Sequence, residues 1–384
     1  MIADPMKILT KRIRVRSLIF AALLIVYIGF SLFLFVQWVA PSLDGRTDQH
    51  IAADSVTYLY FADSLRQGNA DPFVITALAT FPNTLWCPVL LALILKSTFA
   101  MVIANYAMFF LALVLLKKSF SFSMGIFVGL LLLNATTTVS LLSVNKEIVD
   151  LLSVAFFFFG LRRQHNGVLL MAILLALFNR YEICMVMLLF LLAKSKINPW
   201  GRRRVLTLTA LTLLLSVMLP LFASNTMLAA HVEEASGGGI VTWLDSLEMH
   251  YLYGVAVIPK IAENFFAELV NVSKWSTSYG SSDLANSYIV LSNNLANAIV
   301  LMILASKRRL TVRSEIMYFT MLGCIVMAIS FVIQPRYFYF AYVLLSLRAA
   351  QTEACKPTVG TSLLTQGTVE YRISPLDHNE AAFG

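Results

Sequence analysis

Ser17–Ala40 reads SLIFAALLIVYIGFSLFLFVQWVA, a run of 24 residues without a charged side chain. An α-helix rises 1.5 Å per residue, so this run is long enough to cross a hydrocarbon core of about 30 Å. Basic residues precede it at Lys7, Lys11, Arg12, Arg14 and Arg16. A cleaved signal peptide would have a shorter apolar core of about 7–15 residues. We therefore predict that the run is an uncleaved first membrane span.

The composition of the whole chain agrees with a membrane protein. Of its 384 residues, 59% are hydrophobic and 13% are charged, and the mean hydropathy is +0.77. Soluble domains have about 45–50% apolar and about 25% charged residues. Backbone polar groups inside lipid must bond within the protein, and the long apolar runs lack the period-two alternation of barrel strands. These features predict an all-α, polytopic bundle of transmembrane helices.

About ten membrane segments are predicted from the apolar runs. They lie near residues 17–40, 98–116, 120–143, 148–161, 166–178, 182–193, 205–223, 287–305, 315–333 and 336–349. The fifth and sixth segments are too short to cross separately in a standard way. They form either a bent pair that meets at Asn179–Tyr181 or one long helix that is broken there.

The distribution of basic residues predicts the orientation of the chain. With ten alternating segments and both termini in the cytoplasm, 21 of the 29 Lys and Arg residues fall on the cytoplasmic side. This matches the bias that orients helical membrane proteins. The basic residues are scattered along loop edges, so the net charge of +8 indicates contact with anionic lipid headgroups and no nucleic-acid partner.

Two long segments are predicted outside, at about residues 41–97 and 224–286. The first carries a helical stripe that includes Val56 and Leu65 and ends near Gly68, followed by an apolar helix at 81–95. The second carries aromatic residues with interspersed acids over 240–270, which indicates further helices at the membrane interface. Residues 1–349 are thus predicted as one transmembrane domain, and residues 350–384 as a disordered cytoplasmic tail.

Three predicted outer turns carry ionisable residues, which are costly near lipid and usually pair or form a site. The turns are Asn145-Lys146-Glu147, with Asp150 one helical turn further on, Asn179-Arg180-Tyr181-Glu182, and Gln334-Pro335-Arg336-Tyr337. They predict a cleft for an anionic headgroup beneath the acidic first outer segment. The alternative is that Lys146–Glu147 and Arg180–Glu182 are local ion pairs, and that Arg336 only extends to the interface.

Transfer of a sugar from a lipid-linked donor fits such a cleft. Basic side chains would hold the lipid phosphate, and a carboxylate would accept the proton of the attacking hydroxyl as general base. The candidate substrate-binding residues are Tyr58, Lys146, Glu147, Arg180, Glu182, Arg336 and Tyr337.

The pattern Asp54-x3-Tyr58-x3-Ala62-x2-Leu65-x2-Gly68 resembles the first outer loop of GT-C-type membrane glycosyltransferases. The resemblance covers roughly residues 1–200 and implies a polyprenyl-phosphate-sugar donor and a glycan or lipid-linked acceptor. It also implies that Asp54 is the catalytic base and that Arg180 and Arg336 contact the phosphate. The chain is also similar to bacterial O-antigen and exopolysaccharide polymerases in its large outer loops and the 145–147 turn. Both resemblances imply polysaccharide or glycoconjugate synthesis at the outer face of the bacterial inner membrane.

Several motifs of other enzyme classes are absent from the sequence. There is no GxxxxGK[ST], HExxH, paired CxxC or DxD motif. We expect no cofactor, although a divalent metal held by loop carboxylates stays open. The competing class is a polytopic transporter or flippase for a lipid-linked or anionic substrate, and a third reading is a structural assembly subunit.

Overall fold

A computed structural model describes residues 21–22, 24–43, 53–68, 71–80, 82–195, 198, 203–223, 240–266, 281–329 and 338–352. The helices are α1 (residues 24–43, with a π-helical turn at Phe35–Val39), α2 (Ala53–Arg66), α3 (Pro72–Thr80), α4 (Pro82–Leu95), α5 (Thr98–Ser119), α6 (Met124–Leu133), α7 (Ala135–Leu142), α8 (Glu147–Arg163), α9 (Asn166–Asn179), α10 (Tyr181–Lys194), α11 (Arg204–Ala223), α12 (Ile240–Met249), α13 (Tyr253–Phe265), α14 (Ser281–Ser306), α15 (Glu315–Met327) and α16 (Tyr339–Ala350). Over these ranges the structure is helical apart from one isolated bridge between Phe122 and Gln351. The all-α prediction is therefore confirmed, and the predicted tail from 353 onwards lies outside the described residues.

Helix length supports fewer membrane spans than the sequence predicted. In the described part of the chain, Thr98–Ser119 and Arg204–Leu221 are long and apolar enough to cross a membrane. The bent pair α6–α7 makes a third if it counts as one span. The other described helices do not meet this combined test of length and apolar composition, so the bundle of about ten segments is not confirmed.

The first outer segment folds as its pattern predicted. α2 ends at Arg66, and Gly68 follows it with a φ of +72°. Helices commonly end in this left-handed conformation, which glycine adopts without steric cost. α4 corresponds to the predicted helix at 81–95. Between them lies α3, which was not predicted and which begins at a cap where Asp71 Oδ1 accepts a hydrogen bond from the Phe73 amide at 3.0 Å.

The segment predicted over 120–143 is not one continuous helix, because the chain bends by 84° between α6 and α7. Asn134 causes the break. Its backbone is extended, and its side chain accepts a hydrogen bond from the Thr136 amide at 3.0 Å, which caps a new helix. The apolar run that suggested one span therefore contains a cap residue in its middle.

Short and polar, α7 is held by side chains from several other helices. Asn105 of α5 donates to the carbonyls of Ser143 at 2.7 Å and Ser140 at 3.2 Å. Further hydrogen bonds join Tyr27 to Thr138 at 2.8 Å, Asn293 to Thr136 at 2.9 Å and Thr137 to Tyr339 at 3.1 Å. These bonds satisfy polar groups that would be costly to leave unpaired inside an apolar protein.

The question left open at Asn179–Tyr181 is decided in favour of a pair of helices. Arg180 is extended (φ −158°, ψ 103°) and separates α9 from α10. Asn179 contacts the start of α8, whereas Lys194 at the end of α10 and Arg162 at the end of α8 both pair with Glu315. α9 and α10 are therefore antiparallel to each other.

Basic residues meet at one end of the fold. Arg309 donates to the Gln351 carbonyl at 2.6 Å, Lys307 to the Ala349 carbonyl at 3.3 Å, and Lys117 to the Phe122 carbonyl. These contacts hold the C-terminal ends of α5, α14 and α16 next to the start of α6. All three cations belong to segments predicted to be cytoplasmic.

The second outer segment contains helices, as predicted, and α13 packs one face against the bundle while Val255 and Ile258 on its other face are 59% and 72% exposed. Tyr253 is buried and donates to the Ile325 carbonyl of α15, and Asn297 of α14 donates to the Phe265 carbonyl at 2.7 Å. Lys260 and Glu248 form an ion pair at 2.8 Å, with side chains only 0% and 1% exposed. Pairing offsets part of the cost of burying the Lys260 and Glu248 charges between α12 and α13.

Asn105→Leu should lower the free energy of unfolding, because the carbonyls at the end of α7 lose their donor. The two side chains have similar volumes, so packing changes little. We expect a loss of about 1–3 kcal/mol, since buried acceptors become unsatisfied. Thermal unfolding of the detergent-purified chain measures it. Asn166→Leu, at an exposed position at the start of α9, is the control, and equal stability of the two variants would contradict this role for Asn105.

Candidate functional site

The first outer helix is fixed to the turn that leads into α8. Ser55 Oγ, in the first turn of α2, donates to the Val144 carbonyl at 2.7 Å, and both groups are buried. Asp54 directly precedes Ser55, and its backbone lies in the same turn of α2. The side chain of Asp54 lies outside the described residues. The chain thus brings the backbone of Asp54 to the turn that contains Lys146.

Arg180 is the centre of a buried ion network. Its Nη2 atom is 3.4 Å from Glu147 Oε1, and its Nε atom is 3.4 Å from Asp150 Oδ2. The exposed fraction of these side chains is 6% for Arg180 and 2% for each acid. Glu147 and Asp150 lie in the first turn of α8, where three-residue spacing puts them on one face. The extended backbone at the α9–α10 break presents Arg180 to that face.

Asn179 completes the network from the same break. Its Nδ2 atom donates to Asp150 Oδ1 at 2.6 Å and to the Lys146 carbonyl at 2.9 Å. The side chain therefore ties the end of α9 to both the first turn and the N-cap residue of α8.

Lys146 is the more accessible of the two cations. It is half-buried, and its Nζ atom lies 5.7 Å from the centre of the Tyr58 ring, within the range of a cation–π contact. Tyr58 itself is buried in α2. This contact is a second link between the α2 helix and the α8 turn.

The site combines positive helix ends with carboxylates. α2, α8 and α10 all begin here, and each N-terminus carries a partial positive charge and unpaired amide groups. Glu147, Asp150 and Glu182 occupy first turns of these helices. Within the described part of the chain, Glu147 Oε2, Asn179 Oδ1 and Glu182 Oε2 are buried and accept no hydrogen bond. Such oxygens have the chemistry to accept from ligand hydroxyl groups.

The structure brings together some of the predicted residues. Tyr58, Lys146, Glu147 and Arg180 lie in one region, and Glu182 lies in the first turn of α10, which follows Arg180. Arg180 pairs with Glu147 and Asp150, in place of the local Arg180–Glu182 and Lys146–Glu147 pairs considered from sequence.

Arg336 and Tyr337 lie outside the described residues. The chain resumes at Phe338, and Tyr339 lies within electrostatic range of Glu147. The start of α16 is therefore near the ion network.

Sequence reasoning did not select Asp150 and Asn179 as site residues, although both stood beside selected ones. Their signal was an acid three residues after Glu147 and an amide directly before Arg180. No pattern pointed to Ser55. No group of three or more His, Cys, Asp or Glu side chains suited to a metal occurs in the ranges that the structure describes.

No protein-family model, curated protein or solved structure matches this chain. The site is thus defined by its own geometry: a buried arginine–carboxylate network with a half-buried lysine, at one end of an apolar helical protein.

Arg180→Gln should destabilise the protein strongly, because Glu147 and Asp150 would remain buried without their cation. Breaking a buried pair from one side costs about 3–5 kcal/mol. Thermal unfolding measures the loss. The control Asp63→Asn breaks only the Asp63–Arg66 pair, whose side chains are 57% and 35% exposed, and should cost about 1 kcal/mol or less.

Neutralising Glu147 and Asp150 as well tests whether unpaired buried charge causes the loss of stability in Arg180→Gln. The triple variant Arg180→Gln, Glu147→Gln, Asp150→Asn removes every charge of the network at once and should recover most of the stability. If it is no more stable than Arg180→Gln alone, uncompensated charge is not the cause.

Proposed function

We propose that this chain is a membrane glycosyltransferase or polysaccharide polymerase. It takes a sugar from a polyprenyl-phosphate-linked donor at the outer face of the bacterial inner membrane, and it transfers the sugar to a glycan or lipid-linked acceptor. This activity serves the synthesis of a cell-surface polysaccharide or glycoconjugate.

The observation that carries the proposal is the hydrogen bond between Ser55 Oγ and the Val144 carbonyl. It ties the turn of α2 that contains Asp54 to the turn that contains Lys146 and leads into the Arg180 network. A carboxylate for proton transfer and cations for a phosphate thus come from one small region of the fold, although they are about 90 residues apart in sequence.

The proposed reaction is a displacement at the anomeric carbon. The acceptor hydroxyl oxygen forms a bond to that carbon and gives its proton to the Asp54 carboxylate. The bond between the anomeric carbon and the phosphate oxygen breaks, and its electron pair leaves with the lipid phosphate. A phosphate is a good leaving group, so one carboxylate suffices as general base.

The burial of the ion network divides the roles of the two basic residues. Lys146 is half-buried and beside Tyr58, which makes it the cation that meets the lipid phosphate. Arg180 is occupied by Glu147 and Asp150 and keeps the start of α8 in place. Arg336 and Tyr337 complete the proposed set of substrate-binding residues. The Oε2 atoms of Glu147 and Glu182 accept hydrogen bonds from the sugar.

About ten membrane-embedded segments belong to this proposal, with both termini in the cytoplasm. Support comes from the basic residues, which gather at one end of the fold, and from the antiparallel course of α9 and α10. Several of the helices are too short to cross alone, so they pair across breaks as α6 with α7 does.

Asp54→Asn should lower the rate of sugar transfer by about 10²–10⁴-fold, because the attacking hydroxyl loses its base. The measurement is turnover of a polyprenyl-phosphate-linked sugar by purified protein. Asp63→Asn is a matched control on the same helix, since Asp63 is exposed and pairs only with Arg66 in the described contacts. Transfer at the wild-type rate by Asp54→Asn would remove Asp54 from the mechanism.

A transporter or flippase is the second candidate, and the buried pair Lys260–Glu248 favours it. Charges inside a membrane protein often mark a substrate path, and broken helices such as α6–α7 are common in transporters. Proteoliposomes discriminate the two functions. Movement of a labelled lipid-linked sugar between leaflets, without any new glycosidic bond, would support transport and overturn the transferase.

A further inference from the structure

A cluster of cations surrounds one carboxylate at the end of the fold opposite the proposed site. Glu315, the first residue of α15, pairs with Arg162 at 3.0 Å and with Lys194 at 2.5 Å. Arg204, the first residue of α11, acts on the same carboxylate electrostatically. Three positive charges from α8, α10 and α11 thus meet one negative charge.

The three cations are held in place by aromatic rings. The guanidinium of Arg162 is 5.3 Å from the centre of the Phe120 ring, and the ammonium of Lys194 is 5.6 Å from that of Phe190. The guanidinium of Arg204 is 5.4 Å from the Tyr318 ring. Arg204 Nη1 also donates to the Val312 carbonyl at 3.1 Å. Such fixed side chains lose little freedom when they bind an anion.

The cluster is accessible and is not neutralised. The exposed fraction is 37% for Arg162, 39% for Lys194 and 21% for Glu315. Arg203 and Arg313 flank the cluster and are exposed. No other acidic side chain contacts these three cations through an ion pair in the described part of the chain. The cluster therefore keeps a net positive charge that is open to an anion from solution or from the membrane surface.

We propose that Arg162, Lys194 and Arg204 form a phosphate-binding site at the cytoplasmic end of the protein. The ligand carries a phosphate group with at least one negative charge, from either an anionic phospholipid headgroup or a soluble phosphate. Arginine side chains suit it because their planar donors match phosphate oxygens in pairs. Bound phosphate joins α8, α10 and α11 as Glu315 does.

The test is thermal unfolding of the full-length protein in two series. One series uses phosphatidylcholine nanodiscs with and without phosphatidylglycerol. The other titrates inorganic phosphate in detergent against sodium chloride at equal ionic strength. We expect a saturable rise in Tm of roughly 5 °C at saturation in one series, which names the source of the phosphate. No saturable rise in either series of the wild-type protein overturns the proposal.

Two variants separate binding from simple structural support. Arg162→Gln should weaken the apparent affinity for the effective anion about tenfold, whereas Lys118→Gln, an exposed cation at the same end, should leave it unchanged. Glu315→Gln should lower Tm without the anion and show a larger rise with it, because phosphate replaces the missing carboxylate. Equal loss of affinity in Arg162→Gln and Lys118→Gln indicates non-specific attraction and overturns the site.

Discussion

The contact of Arg180 with Glu147 and Asp150 is the constraint on which the junction of α8, α9 and α10 depends. A lone guanidinium buried in an apolar protein is prohibitively costly, and so is a lone carboxylate. The three charges are acceptable only together, so the α9–α10 break and the first turn of α8 are fixed relative to each other. Asn179 adds two hydrogen bonds to the same junction. The α2 helix then docks on a turn that is already rigid.

The charged clusters at the two ends of the bundle differ in burial and in their balance of acidic and basic side chains. The network around Arg180 is buried and has two acidic side chains, Glu147 and Asp150, for one basic side chain. The opposite end is accessible and has more cations than acids around Glu315. α7, which precedes the turn into α8, is held by neutral Asn, Thr and Tyr side chains. Neutral hydrogen bonds are the least costly polar contacts inside an apolar bundle, since they bring no charge out of water.

Sequence patterns predicted the helices better than they predicted their breaks. The stripe from Val56 to Leu65 and the glycine at 68 located α2, because both signals are local. The bend at Asn134 was missed, since an apolar run hides a single cap residue. The predicted site residues Lys146, Glu147 and Arg180 do gather in one region, but their pairing required the direction of each helix. Asp150 and Ser55 gain their meaning only from partners about 30 and 90 residues away.

The burial of Arg180 changes which basic residue is the better candidate for binding an anion. From sequence, Arg180 and Lys146 were equivalent candidates for a phosphate contact. In the fold, the arginine is already saturated by two carboxylates, whereas the lysine remains half-buried beside an aromatic ring. A ligand anion that reached Arg180 would have to displace an acid and leave it unpaired in an apolar interior, at a cost of several kcal/mol. In the proposed mechanism, the Arg180 network therefore positions the site, and Lys146, its more exposed neighbour, is the residue assigned to the phosphate.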